Sequence, residues 1–260
     1  VTDPVIQIEN VVVSYRDSVA LRGVTLNIPR GEFIGIIGPN GAGKTTLLTV
    51  VNGLAHVLQG SVKVLGRDAN GPGRHELRKQ VGYVAQAVAI DKRMPVSARD
   101  VVMIGRYGRL GLFHHPGRHD WQMVDEALEM VGMAQLARRP IGHLSGGEQQ
   151  RIAIARCLAQ EPEIFLLDEP TASLDWKAQT EILELVKRIH RERRLTTLFV
   201  THNFDALPHA FDRVVLLKDG RITGDGPPDE LVTTESLSLL YNLPAAVVEE
   251  RRPHLHKGGR

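Results

Sequence analysis

Residues 38–46 run Gly38, Pro39, Asn40, Gly41, Ala42, Gly43, Lys44, Thr45, Thr46 and fit the pattern G-x-x-x-x-G-K-[ST]. The apolar run Phe33-Ile34-Gly35-Ile36-Ile37 precedes them and reads as a buried strand. Leu47-Leu48-Thr49-Val50-Val51 follows and reads as the start of a helix. Strand, loop and helix in that order are the context a phosphate-binding loop requires. The glycines let the backbone turn tightly and aim N–H groups at phosphate oxygens, and the helix adds its positive dipole end. Lys44 is placed to reach the outer phosphates and Thr45 to hold Mg²⁺. An ordinary glycine turn with a surface lysine would need neither the spacing nor the flanking elements.

The rest of the chain supports an α/β core around this loop. Val5 to Ser14 is strand-like with a polar break at Gln7 to Asn10, and Leu21 to Ile28 reads as a second strand. Ser61 to Leu65 and Val81 to Ala85 are further strands, with a Gly-, Pro- and Arg-rich surface loop over 68–75 between them. From about 90 to 160 the periods are helical and no strand is expected. Ser97 can cap a helix running through Ile104, and Trp121, Val124, Leu128 and Val131 share one helical face. Gly105 to Gly117 reads as a glycine-rich loop between those helices. Strands resume with Ile164 to Leu167, a continuous apolar run suited to burial on both faces. A helix with Ile182, Leu185 and Ile189 on one stripe, a strand over Thr196 to Val200 and a hairpin turning at Lys218-Asp219-Gly220 complete the core. Two short helices are expected over 228–240. The expected organisation is a single domain over 1–240, with its core at 1–89 and 161–240, a helical subdomain at about 90–160, and a tail over 241–260.

Composition bounds the function. Lys plus Arg number 32 and Asp plus Glu 30, a net charge of +2, so there is no basic excess to suggest nucleic-acid binding. The single cysteine, Cys157, lies among Ile152, Ala153, Ile154, Ala155 and Leu158 and reads as a small core residue rather than a catalytic thiol. One cysteine forms no internal disulfide, which suits a reducing compartment. No uncharged apolar run approaches the roughly 18 residues of a membrane span, and no secretion signal is expected.

Two further stretches carry chemistry. Asp168 and Glu169 end the strand Ile164 to Leu167. An Asp at such a strand end can hold the metal a phosphate loop needs, and the second carboxylate can polarise an attacking water. Leu144-Ser145-Gly146-Gly147-Glu148 leads into an apolar helix that Ser145 can cap, with its first N–H groups exposed by two glycines. That makes either an ordinary capped helix or a second anion site. A chain with one phosphate loop has no evident use for a second phosphate site. A head-to-tail pair does, because each site can close on its partner's nucleotide.

Taken in order, these motifs resemble the nucleotide-binding subunit of an ATP-binding cassette (ABC) transporter, over roughly residues 5–240. Gly38 to Thr46 is similar to the Walker A loop, Leu144 to Glu148 to the family signature, Ile164 to Glu169 to Walker B, and Ser173-Leu174-Asp175 to the D-loop. Gln86 stands where the Q-loop glutamine belongs, His202 where the switch histidine belongs, and Tyr15 where an aromatic residue stacks on adenine. Glu148 departs from the glutamine usual in the signature. The resemblance implies a P-loop NTPase core with N-terminal antiparallel strands and an inserted all-helical subdomain. It implies ATP and Mg²⁺ as ligands, with Thr45, Gln86 and Asp168 at the metal, Glu169 as general base, and His202 on the γ-phosphate. Ser145, Gly146, Gly147 and Glu148 would act in trans, and Asp175 would lie at the dimer seam, cap the following helix, or both. Tyr15 and His202 each have a plainer structural alternative, a core tyrosine and a structural hydrogen-bonder.

The stretch from Asp100 to Gly108 and on to Pro116-Gly117-Arg118 resembles the manganese, zinc and iron importers of bacteria. This implies a second copy of the chain, an integral membrane permease, a solute-binding protein acting indirectly, and a place on the cytoplasmic face of the membrane. A short permease helix would dock near Gln86 to Met94. His114, His115 and His119 are read as part of a loop facing the permease rather than as metal ligands, and His254 and His256 as part of a solvated tail. The alternatives are an importer of a metal chelate such as a siderophore, or a soluble ABC ATPase serving as an assembly factor.

Overall fold

The computed structural model describes residues 4–250 except 17, 87–90, 92, 112–113, 173 and 203–209. In chain order the elements begin with β1 (Ile6–Tyr15), β2 (Ser18–Ile28), β3 (Phe33–Ile37), α1 (Lys44–Val51), β4 (Gln59–Val64), β5 (Arg67–Asp68), α2 (Arg74–Arg78) and β6 (Val81–Val84). Helices follow: α3 (Ala98–Met103), a 3₁₀ turn (Ile104–Arg106), α4 (Tyr107–Leu110), α5 (Arg118–Met130), two more 3₁₀ turns, and α6 (Gly146–Ala159). Then come β7 (Ile164–Asp168), α7 (Trp176–Arg193), β8 (Thr196–Thr201), β9 (Arg213–Lys218) and β10 (Arg221–Gly226). The last elements are α8 (Pro228–Leu231), α9 (Thr234–Tyr241) and α10 (Ala245–Glu250). The chain divides into two compact units, Val1–Arg74 with Thr197–Arg260, and His75–Thr196. Among the described residues no helix is long and apolar enough to cross a membrane.

The first unit holds an antiparallel sheet in the order β2-β1-β4-β5. Along β1 the buried side chains are Ile6 and Ile8, then Val11 and Val13. A strict period of two would put these pairs on opposite faces. The register shift between Ile8 and Val11 resolves this, with Asn10 in the left-handed region at φ 47 absorbing one residue. The polar break from Gln7 to Asn10 is thus the outer face running into a bulge. The same unit places β3 in parallel between β8 and β9, with β10 antiparallel to β9. All five residues of β3 are buried. Phe33 meets Phe199 and Phe211 edge-on, and Phe199 and Phe211 are tilted to each other, with centroids 5.1–6.4 Å apart. Gly35 has no alternative there, because a Cβ would strike the Phe211 ring. At the end of the unit α10 lies within the stretch expected as a tail and buries Val248.

In the second unit β6 and β7 pair in parallel, with Val84 level with Leu167. Every described element from Ala98 to Ala159 is helical, and α3, α5 and α6 pack on one another. Val124, Leu128 and Val131 form the expected buried stripe. Trp121 is only half buried, its ring covered by the Arg99 guanidinium at 4.3 Å. Cys157 is buried against β6, where a Cβ at Gly82 would collide with its Sγ.

The expected glycine-rich loop over Gly105 to Gly117 is corrected in its first half. Residues 104–110 continue α3 as helical turns and end at Gly111, φ 77. Gly105 is there for closeness, since a Cβ would strike the Arg156 carbonyl of α6. Arg106 is buried, its Nη1 donating to the Ala159 carbonyl at 2.8 Å, and Arg109 Nε donates to the Gln160 carbonyl at 2.6 Å. These arginines satisfy carbonyls that the last turn of α6 leaves without intrahelical partners. The tail histidines His254 and His256 lie outside the described residues.

Candidate functional site

In the first unit Ile37, the last residue of β3, is level with Thr201, the last of β8. The residues that follow, Gly38 and His202, therefore leave the sheet side by side at the carboxyl ends of adjacent parallel strands. This is where open α/β sheets bind ligands. A Cβ at Gly38 would collide with the Leu217 carbonyl, and Gly43 enters α1 at φ 101. Both positions need glycine. With Gly43 as its N-cap, α1 has no side-chain cap, which suits its N-terminus to an anion. Lys44 is 5 % exposed, and its Nζ donates to the Gly38 and Pro39 carbonyls at 2.9 and 3.1 Å. The ammonium is thereby held inside the curl of the loop. The loop is braced from outside by the β9–β10 turn, where the Gly220 N–H donates to the Ala42 carbonyl at 3.0 Å. Tyr15 closes β1 and is 48 % exposed, so it is not a core tyrosine and its side chain is available for stacking.

In the second unit the pairing of β6 with β7 brings three of the expected site residues, Gln86, Asp168 and Glu169, to one end. Asp168 is buried at the tip of β7 and accepts from the Tyr83 hydroxyl at 2.9 Å. Glu169 follows at φ 48 and accepts from Gln86 Nε2 at 3.3 Å. A non-glycine residue in the left-handed region costs about 1–3 kcal/mol and persists where the surroundings impose it. Here it turns the second carboxylate away from the strand direction that Asp168 follows. Tyr83 was not singled out in the sequence. Burial and the neighbouring Asp168 charge push its phenol well above the ordinary value, so the hydroxyl stays protonated as a donor. Its signal was a tyrosine in a short buried strand, whose polar end needs a partner.

Ser145 caps α6, with Glu148 returning the bond. The Glu148 carboxylate accepts from the Ser145 N–H at 2.7 Å and from its hydroxyl at 2.8 Å. This capping box explains why a glutamate serves at a position where glutamine would also fit. The spacing Ser-x-x-Glu was visible in the sequence as that signal. The Ser145 N–H first, then the Ser145 hydroxyl, hold the Glu148 carboxyl below its usual range. A depressed carboxylate contributes stability above its unfolded value and loses it as pH falls through the folded one. Glu148→Ala is therefore expected to cost about 1 kcal/mol at pH 7. Urea denaturation at a series of pH values should show the gap to wild type narrowing below about pH 4. Asp175 caps α7, its Oδ1 accepting from the Ala178 N–H at 2.8 Å. Ser173 and Asn203 lie outside the described residues.

The sequence matches the family model described as ABC transporter over residues 21–172. The manganese transport system ATP-binding protein MntB of Bacillus subtilis (strain 168) is 38 % identical over 236 residues, covering 91 % of this chain and 92 % of its own length. The zinc transport system ATP-binding protein TroB of Treponema pallidum (strain Nichols) is also 38 % identical, covering 91 % and 86 % respectively. Among solved structures, a dimer of the ATP-binding cassette MJ0796 in a post-hydrolysis state, bound to ADP and Pi, is similar with a TM-score of 0.73. It is 31 % identical and the match covers 86 % of this chain and 98 % of that one. A phosphate loop built where only glycine fits, a strand tip carrying two carboxylates and these matches agree, and the chain belongs to the ABC transporter family as an ATP-binding subunit that hydrolyses ATP.

Proposed function

We propose that this chain powers an importer of a divalent transition metal, manganese, zinc or iron. In this reading two copies work head to tail on an integral membrane permease, at the cytoplasmic face, with cargo delivered by a solute-binding protein. The observation that carries it is the similarity to ATP-binding proteins of manganese and zinc transport systems over nine-tenths of the chain. The dimeric state of a related cassette supports the pairing. The 90–160 segment would be the helical subdomain that couples nucleotide to the permease.

The roles follow from the side chains. The amides of Gly41 to Thr46 and Lys44 bind the phosphates, and Tyr15 stacks on adenine. Thr45, Gln86 and Asp168 offer a hydroxyl, an amide oxygen and a carboxylate, the hard oxygen donors that suit Mg²⁺. The Tyr83 bond fits this, because it fixes one Asp168 oxygen and so orients the carboxylate. Held there, Mg²⁺ would neutralise negative charge that develops on the phosphates. Glu169 draws the proton from the attacking water, and Gln86 holds its carboxylate in place. His202 bonds the γ-phosphate. Ser145, Gly146, Gly147 and Glu148 close on the nucleotide held by the other copy, with Asp175 at the seam.

The test is reconstitution in liposomes of the chain with the membrane subunit that co-purifies with it and with the matching binding protein. Binding protein loaded with Mn²⁺ or Zn²⁺ should raise ATP hydrolysis and drive uptake of that ion. Stimulation by a metal chelate but not by free ions would replace the cargo assigned here. Failure of any multi-helix membrane protein to co-purify from detergent would favour a soluble assembly factor.

A further inference from the structure

The first unit contains a contact that joins its C-terminal helices to the residue after β8. The Tyr241 hydroxyl, at the end of α9, donates to the His202 carbonyl at 2.8 Å. That helix is well anchored. Thr233 caps its start, Leu237 and Leu240 are buried, and Asn242 ends it in the left-handed region at φ 53. Lys218, the last residue of β9, donates its Nζ to the Leu239 carbonyl and, at 2.7 Å, to Asn242 Oδ1. A lysine at this place suits the negative end of the helix dipole and the carbonyls left there. The turn that follows donates the Gly220 N–H to the phosphate loop at Ala42. One hairpin thus holds the phosphate loop through Gly220 and α9 through Lys218, while α9 holds His202 through Tyr241.

We propose that Tyr241 is a positioning residue for His202. This rests on the role given to His202 above. Regular pairing with β3 ends at Thr201, on the N–H side of His202. The bond at its carbonyl fixes the other side of the residue, and so the direction in which Cα presents the imidazole. Alignment of a group with a reacting atom matters more for turnover than for ground-state affinity. The hydroxyl is therefore expected to affect kcat and leave nucleotide binding alone. The phosphate loop and α9 share a support, so they keep a constant frame for the histidine.

The experiment compares Tyr241→Phe, His202→Ala and the double variant in the full chain. Tyr241→Phe should lower kcat by about threefold to tenfold, the effect of one hydrogen bond of ordinary net worth. KM for ATP should stay at the wild-type value, and the midpoint of thermal unfolding should fall by no more than about 2–4 °C, the worth of that one bond. In the double variant the Tyr241 change should add nothing to the loss from His202→Ala, because the two act in series. Incorporating 4-aminophenylalanine at position 241, which restores a donor, should restore kcat. Wild-type kcat in Tyr241→Phe overturns the proposal, as does an additive loss in the double variant or no rescue by the amine. A larger fall in unfolding midpoint, with KM rising as kcat falls, would make Tyr241 structural only. Wild-type turnover in His202→Ala would instead remove the role given to His202, and the proposal with it.

Discussion

Glu169→Gln is expected to slow ATP turnover about 10²–10⁴-fold, the usual worth of a positioned general base. Nucleotide affinity and ATP-dependent pairing of two copies should persist. The amide has the size of the carboxylate and can occupy the same place beside Gln86, 3.3 Å away. What it lacks is basicity. The unusual backbone at φ 48 is no worse for glutamine than for glutamate, so folding is not at stake. Phosphate release measures turnover, a fluorescent ATP analogue measures affinity, and size-exclusion chromatography with ATP follows pairing. Turnover at the wild-type rate would remove Glu169 as the base. Loss of nucleotide binding would mean that the carboxylate acts on the ground state rather than on the attacking water.

Arg106→Met should destabilise the protein by about 3–5 kcal/mol, the cost of leaving a buried charge without its partner. The Arg106 side chain is 5 % exposed and that of Asp120 12 %. Arg106 Nε donates to Asp120 Oδ1 at 3.0 Å, and Nη1 donates to the Ala159 carbonyl and to Glu161 Oε2 at 2.8 and 2.6 Å. The other Asp120 oxygen accepts from the Gly117 N–H at 2.9 Å, at the start of α5. That amide, then the Arg106 guanidinium, hold the Asp120 carboxyl below its usual range. One guanidinium therefore ties the end of α3, the start of α5 and the end of α6. Methionine fills the space and satisfies none of these groups. Lysine keeps the charge but lacks the planar fork, so Arg106→Lys should also lose stability, by less. Urea denaturation followed by far-UV circular dichroism gives both values. A loss below about 1 kcal/mol for Arg106→Met would show that water reaches the cluster and solvates Asp120.

These two sites differ in how far the sequence revealed them. The Asp168-Glu169 pair was legible because a run of apolar residues ending in two carboxylates is a local pattern with few structural uses. The phosphate loop was legible for the same reason, its glycines answering to backbone turns within a few residues. The Arg106 cluster was not legible. Its partners lie 14 and 55 residues further along the chain, and the density of glycine around it suggests a loop. Gly105 is present because two helices touch, which is a fact of packing that no local window carries. The Tyr83 bond to Asp168 likewise depends on the pairing of β6 with β7, 85 residues apart. The shift of buried positions along β1 was present in the sequence, but it becomes a bulge only once a partner strand sets the register. In α10 a short apolar stretch is helical through its packing on α9, which propensity over six residues does not foretell.

The seat of Cys157 has a practical consequence. Its sulfur lies against the bare backbone of Gly82, and burial pushes the thiol up to about 12. At neutral pH it has almost no thiolate with which to attack a maleimide, and the reagent has no route to it. A spin or fluorescent probe can therefore be attached through a cysteine introduced on the surface, with the native one left in place. If two copies pair as proposed, distances between such probes would then report opening and closing without the ambiguity of a second labelled position.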